Sequence, residues 1–290
     1  MDGFYGRILM IDLASESFEI RNLPEALLKS YLGGKGLASY LLLEHNPPRV
    51  DPFAPENCLI FATGPITGSI LWGSCRYGVF TKSPQTGLYS ESYAGGRVPE
   101  AMDAAGYDAV VIRGKSPQLT VLVVTPDGVA FHNALDLREK DTYETEEEVR
   151  ARFGKRDKGW KQGAVVIGPA GENRVRFSVV ENDRWRSAGR TGTGAVMGAK
   201  GIKAIVFMGD RKRRVHDGDG LRKFSKKVAA DARENPGIGG YKAMGTPMMV
   251  QVLNLIEAFP TRYWTEGTYR EWEKISADAL HSRCEVTPHA

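Results

Sequence analysis

The apolar runs of this chain change character at one point. Through Met208 they are short and rich in β-branched and aromatic residues: GRILMIDL at 6–13, CLIFAT at 58–63, RYGVFT at 76–81, AVVIR at 109–113, LTVLVV at 119–124, AVVI at 164–167 and AIVFM at 204–208. Most are bounded by glycine, proline or small polar residues, the punctuation of strands. Beyond the basic cluster RKRR at 211–214 such runs stop, and 219–233 and 246–257 carry helical spacing instead. The organisation implied is α+β. A strand-built domain covers 1–210, and the start of a helical domain covers 211–290. The cluster at 211–214 reads as a solvated linker face.

Between the strands the expected elements are modest. Residues 17–20 pair with 6–13 as a hairpin, and 23–32 form a helix with Pro24 in its first turn. GGKG at 33–36 breaks that helix, and a second runs over 37–44 until Pro47-Pro48. Residues 82–87 make a turn, 98–105 a helix, and PDG at 126–128 turns the chain into a strand at 129–132. An acidic helix is expected over 145–153. Strands are expected at 164–167 and 175–180 around a turn at 168–173, with a short helix over 194–200. No repeat at solenoid periods is evident.

Composition narrows the function classes. The 290 residues hold 39 Lys and Arg against 35 Asp and Glu, too even a balance for a nucleic-acid surface. The N-terminus carries Asp2 and no long apolar run, which argues against a leader or a membrane span and for a cytoplasmic protein. Three well-separated cysteines, Cys58, Cys75 and Cys284, imply no disulfide framework, and no CxxC is present.

RSAGRTGTGAVMGAK at 186–200 holds four glycines, two arginines and a lysine. Gly192, Gly194 and Gly198 suggest a dinucleotide fingerprint, but the context is wrong. Such a loop follows its strand directly inside a βαβ unit; here an eleven-residue polar segment, 181–191, intervenes. Two readings stay open on the loop alone. It is an anion cradle of main-chain amides with Arg186 and Arg190 forking onto phosphate oxygens, or a turn packing helix on sheet with its arginines paired to Glu181 or Asp183. A second loop with similar content, SCR at 74–76 with ESYAGGR at 91–97, suits a large anion held between two half-sites.

The order and length of several motifs resemble the tungsten-containing aldehyde ferredoxin oxidoreductase family. They are GGKGLASYLLL at 33–43, DPFAPENCLIFATGPITG at 51–68, RYGVFTKSPQTG at 76–87, AGYDAVVIRGK at 105–115, IGPAGENRVRFSVV at 167–180 and AGRTGTGAVMGAKGIKAI at 188–205, with GT at 245–246 and FPTRYW at 259–264 continuing the match. The resemblance implies a base domain of two β sheets related by a pseudo-twofold with flanking helices, seating a tungsten bis-pyranopterin whose phosphates are bridged by Mg. It implies a [4Fe-4S] cluster whose cysteine ligands fall just beyond Ala290, and oxidation of an aldehyde to a carboxylate with ferredoxin as acceptor. A homodimer or a redox subunit is the implied assembly.

Matched position by position, Arg76 stands between pterin and cluster. Tyr93, Gly95, Arg186, Ser187, Gly189 and Arg190 contact pterin and phosphate. The main-chain carbonyls of Tyr93 and Ser187 ligate Mg, a hard cation that takes oxygen. No catalytic residue is assigned within this chain. Two departures from the family pattern stand out: Tyr93 replaces the usual asparagine, and Cys75 replaces the glycine before Arg76. Cys75 reads as a small buried cysteine, Cys284 as a non-ligand, and His281 and His289 as too few for a metal site. Taken alone the chain is expected to be inactive, with apolar surface exposed after 211. The alternatives are a non-catalytic module that binds or carries a pterin or another phosphate ligand and, less well supported, a nicotinamide dehydrogenase.

Overall fold

The structure, a computed structural model, describes residues 1–154 and 159–286; His289 lies outside them. The chain divides into two compact units, Met1–Gly218 and Asp219–Ala290.

The first unit is one plan used twice. A hairpin of β1 (Arg7–Asp12) and β2 (Ser17–Asn22) is followed by α1 (Glu25–Tyr31), α2 (Gly34–His45) and β3 (Leu59–Thr63). A second hairpin, β4 (Tyr77–Lys82) and β5 (Tyr89–Ala94), leads through α3 (Val98–Ala105) to β6 (Ala109–Arg113). The plan then recurs as the hairpin β7 (Thr120–Thr125) and β8 (Gly128–Asn133), α4 (Thr142–Phe153), β9 (Lys161–Val166) and the single turn α5 (Pro169–Glu172). The hairpin β10 (Val180–Asn182) and β11 (Arg186–Ala188), then α6 (Thr193–Ala199) and β12 (Ile202–Gly209), complete it. The sheets run β2-β1-β6-β3-β4-β5 and β8-β7-β12-β9-β10-β11. In each, the last strand lies parallel to the first while every other pair is antiparallel. These are the two pseudo-twofold sheets that the sequence implied.

The central strands of each sheet are buried on both faces, which is why they read as continuous apolar runs. On β1, Leu9 and Ile11 face the layer between the sheets, where they join Val98 and Met102 of α3, Val196 and Met197 of α6, and Ile205 and Phe207 of β12. Ile8 and Met10 face outward under Leu28, Leu37 and Leu41 of the first two helices. Val149 of α4 covers Ala164, Val166 and Val206 on the outer face of the other sheet.

Several expected boundaries are corrected. The break between the first helices is at Leu32 and Gly33, both with positive φ, and the second helix starts at Gly34. Gly36 lies inside it because a Cβ there would strike the Tyr31 carbonyl. The acidic helix begins at Thr142, three residues early, behind a capping box of Asp141 and Glu144. No strand covers 175–179; the strand starts at Val180, and the turn before it contains α5. Residues 89–94 form β5, and the polar stretch 181–191 holds β11. The cluster at 211–214 is not uniformly solvated. The Arg213 side chain is buried, pairing with Asp103 (2.7 Å) and Asp108 (2.8 Å) and lying 4.7 Å from the Tyr5 ring.

The second unit contains α7 (Gly218–Glu234), α8 (Pro236–Met244), α9 (Met248–Leu255) and α10 (Ala277–Arg283). Asn235 caps α8 by accepting the Gly237 and Ile238 amides, and Ser276 caps α10 through the Ala279 amide. Large apolar side chains stand in solvent there, Leu255, Tyr263 and Trp264 among them, as expected beyond 211. Among the described residues no helix is long and apolar enough to cross a membrane.

Candidate functional site

The two sheets meet edge to edge where β5 approaches β11. On β5 the side chains alternate. Ser90, Ser92 and Ala94 are buried, while Tyr89 and Tyr93 are exposed on the opposite face. The buried hydroxyls reach the glycine loop of the other half. Ser92 Oγ accepts the Arg190 amide (3.0 Å), and Ser83 Oγ donates to the Thr191 carbonyl (2.8 Å). Ser90 and Thr191 are joined hydroxyl to hydroxyl.

Contacts also run the other way. Asn182 Nδ2 donates to the Gly95 carbonyl (2.9 Å), and the Asp183 carboxylate accepts the Arg97 amide (2.6 Å). Gly95 in turn lies against Cys75 and Arg76: a Cβ on it would stand 3.2 Å from the Cys75 carbonyl and 3.5 Å from Arg76 Nη1. Asn182 is the cross-strand partner of Arg186, and Glu181 that of Ser187. A continuous chain of contacts therefore brings Arg76, Tyr93, Gly95, Arg186, Ser187, Gly189 and Arg190 to one junction.

Within that junction the side chains divide. Arg76, Arg186 and Arg190 are all exposed, and among the described residues none has a carboxylate within ion-pair distance. The pairing to Glu181 or Asp183 that a purely structural loop would show is absent. Glu181 takes the Ser187 hydroxyl (2.6 Å), and Asp183 takes Arg150 (2.7 Å). Burial raises the Glu181 carboxyl pKa, a shift that the Ser187 hydrogen bond opposes.

Tyr93 turns its side chain away from the loops. Its ring meets Phe80 edge-on at 5.8 Å, and its hydroxyl donates to Glu91 (3.0 Å), itself paired with Lys35 (2.8 Å). Burial and the adjoining Glu91 carboxylate raise the Tyr93 phenol pKa. Cys75 is half-buried. Its Sγ donates to the Gly96 carbonyl (3.1 Å), and burial pushes its thiol pKa up, so it is held as a thiol.

The glycines of the loop at 186–200 separate into two kinds. A Cβ on Gly194 would strike the Val179 carbonyl, and one on Gly198 the Gly171 carbonyl. These glycines let α6 press main chain against main chain, which is the helix-packing reading of the loop. Gly189 is different. A Cβ there would find nothing nearer than 3.5 Å, and its φ is not left-handed. Among the described residues nothing requires glycine at 189, so the bare main chain there is available to a ligand.

Residues not singled out in the sequence hold this junction together. Glu146, 2% exposed, accepts the Asp183 and Arg184 amides (both 3.0 Å), and Arg150 bridges it to Asp183. The Asp141-x-x-Glu144 capping signal marks the helix that carries them, and the Tyr-Ser-Glu-Ser-Tyr alternation at 89–93 marks β5. Asn182 gives no local signal, and Asp183 signals only as a neighbour of the loop arginines.

Residues 8–209 match the family model for the aldehyde ferredoxin oxidoreductase N-terminal domain, and residues 223–290 that for domains 2 and 3 of the same family. Tungsten-containing aldehyde ferredoxin oxidoreductases of Pyrococcus horikoshii and Pyrococcus abyssi are 35% and 36% identical to the chain over 285 and 284 residues. These alignments cover 98% of this chain and 46% of each relative, so the chain spans about half the length of the curated relatives it matches. The active-site complex BamBC of benzoyl coenzyme A reductase, solved with 1,5-dienoyl-CoA, is similar with a TM-score of 0.77 and 36% identity, over 81% of this chain and 35% of that one. With both domain models matching in order on a doubled-sheet fold, the chain belongs to the aldehyde ferredoxin oxidoreductase family.

Proposed function

We propose that residues 1–210 are the base domain of an aldehyde:ferredoxin oxidoreductase and seat a tungsten bis-pyranopterin at the β5–β11 junction. The observation that carries this reading is the set of three guanidiniums, Arg76, Arg186 and Arg190, that have no carboxylate partner among the described residues, beside the open main chain at Gly189. Three such groups gathered at one junction fit a ligand that brings its own negative charge.

The residues present fit the group. Arg186 and Arg190 would hold phosphate oxygens on one half, and Arg76 would donate beside Gly95 on the other. The carbonyls of Tyr93 and Ser187 would be oxygen ligands for Mg; tyrosine at 93 still offers a carbonyl, as any residue does, while its ring packs on Phe80. When bound, the cofactor supplies two-electron oxidation of an aldehyde to a carboxylate, with water as the oxygen source. This chain's own share is to bind, orient and neutralise. A [4Fe-4S] cluster held by residues beyond Ala290 and a ferredoxin acceptor complete the proposal. The helical segment from 211 is the start of the domain that follows the base.

Full-length protein produced with tungstate is expected to carry tungsten, pterin and iron together. Arg186→Ala with Arg190→Ala should lower tungsten occupancy about tenfold or more, since each lost charge-assisted contact is worth about 1.5–3 kcal/mol, without lowering the unfolding temperature of the cofactor-free protein. Pterin without iron would favour the carrier-module reading, and wild-type protein devoid of both tungsten and pterin would overturn the assignment.

A further inference from the structure

The hairpin of β10 and β11 reaches across the junction with two side chains that no ligand-binding role explains. Asn182 is fully buried, and both ends of its amide are satisfied. Its Oδ1 accepts the Tyr77 hydroxyl (2.8 Å); its Nδ2 donates to the Gly95 carbonyl (2.9 Å) and to Asp183 (3.0 Å). Asp183 accepts the Arg97 amide (2.6 Å) and Arg150 Nη2 (2.7 Å). Gly96 is left-handed, with φ of 93°, and a Cβ on it would collide with the Asp183 carboxylate. The main chain at 95–97 is thus shaped around these two side chains. Asp183 and Arg184 themselves both have positive φ, so the hairpin tip is held in a costly conformation that the Glu146 carboxylate fixes through two amides.

We propose that Asn182 and Asp183 are positioning residues that set the separation and orientation of the two half-sites. They tie the Gly95–Arg97 segment of the first half to the strand pair that presents Arg186 and Ser187 in the second. Three hydrogen bonds to the first half, with Tyr77, Gly95 and Arg97, and one steric fit at Gly96 meet at this point, all between residues more than 80 positions apart. A twin-headed ligand senses that separation; a single phosphate does not. The inference rests on the proposed cofactor seat, and its test separates the two.

The test uses full-length protein loaded with tungstate. It compares wild type with Asn182→Ala, Tyr77→Phe and Glu146→Gln. Two quantities are read: the unfolding temperature of cofactor-free protein and the rate at which tungsten and pterin leave loaded protein on dilution. Glu146→Gln is the structural control, because Glu146 grips the hairpin without touching the Gly95–Arg97 segment. Asn182→Ala is expected to speed release about tenfold, the effect of one buried hydrogen bond, and out of proportion to its loss of unfolding temperature. Tyr77→Phe removes only the hydroxyl that orients the amide; it is expected to fold and to speed release several-fold, and it decides the matter if Asn182→Ala does not fold. Release rates that simply track unfolding temperature across the three variants, or that equal wild type, overturn the positioning role. Wild-type protein without tungsten or pterin overturns the seat itself and this inference with it.

Discussion

The two halves of the first unit share a backbone plan but brace each other by different chemistry. The second half's loop, Arg190–Thr191, is held by neutral hydroxyls of the first: Ser83, Ser90 and Ser92. The first half's loop, Gly95–Arg97, is held by an amide and a carboxylate of the second. The same asymmetry recurs where the last strand of each half begins. Asp108 and Lys203 each stand two residues after a left-handed glycine, Gly106 (φ 81°) and Gly201 (φ 75°), and both are fully buried. Asp108 accepts the Tyr5 and Gly6 amides and Arg213, whereas Lys203 donates to the Lys140 carbonyl and pairs with Glu172. The plan provides a site for one buried polar tether per half, and the partner, not the plan, decides the sign of its charge.

The largest effect should come from Arg213. Among the described residues it alone pairs with Asp103 and Asp108, and burial has already raised the Asp103 pKa against it. Arg213→Met is expected to cost about 3–5 kcal/mol, the usual consequence of leaving a buried charge unpaired. Lys203→Met leaves the Lys140 carbonyl and Glu172 without their lysine, but the Glu172 side chain is 13% exposed and reaches water, so about 1–3 kcal/mol is expected. Urea unfolding of both variants measures the difference; equal losses would erase the distinction between the halves.

Next is a tether that only the second half has. Where the first half carries Ala105 before its left-handed glycine, the second carries Lys200, 2% exposed, whose ammonium donates to the Pro55 (3.0 Å) and Gly114 (3.1 Å) carbonyls of the first half. Burial pushes its pKa down from the ordinary 10.5 to about 8. Below pH 8 the group is charged whether folded or not, and the burial penalty is felt in full. Above it, the unfolded chain keeps a proton that the folded chain has released. Stability should therefore rise with pH between about 8 and 10.5, by roughly 3 kcal/mol from this group. Lys200→Met should lose that rise. The difference between wild-type and variant unfolding free energies from pH 7.5 to 10 reads it, and a flat difference would refute a depressed lysine.

A smaller contrast divides the glycines of the second loop. Gly198→Ala forces a methyl into the Gly171 carbonyl and should cost about 1–3 kcal/mol, the range for overpacking a tight contact. Gly189→Ala should leave unfolding unchanged within about 0.5 kcal/mol, yet reduce retained tungsten. Loss of stability at 189 equal to that at 198 would mean that glycine there serves packing after all.

How much of this was legible in the sequence follows from how local each signal is. The central strands β1, β3, β6, β7 and β12 are buried on both faces, so their composition announces them. The edge strands β5 and β11 are polar on at least one face; Ser90, Ser92, Arg186 and Ser187 serve the junction rather than the core, and a strand so composed reads as loop. The arginines and glycines of the candidate site stood out because charge and glycine cluster in sequence. Asn182, Asp183, Glu146 and Arg213 did not, because each acts on a partner more than 30 residues away. Arg213 misled for the same reason. Among neighbours of like charge it looks solvated, and only the fold supplies Asp103 and Asp108.

A modest loss at Ser92 tests the asymmetry most directly. Ser92 is 3% exposed and accepts the Arg190 amide, a neutral hydrogen bond on a residue that otherwise faces water. In Ser92→Ala the freed amide can be rehydrated from the exposed side, so the cost should be no more than about 1 kcal/mol. Asn182→Ala frees a carbonyl and a phenol hydroxyl where no water reaches, and should cost more. Denaturation of the two variants side by side gives the ratio. A Ser92→Ala loss as large as that of Asn182→Ala would show that hydroxyl and amide braces are equivalent. The expected inequality would make the first half's loop the rigid reference against which the second adjusts.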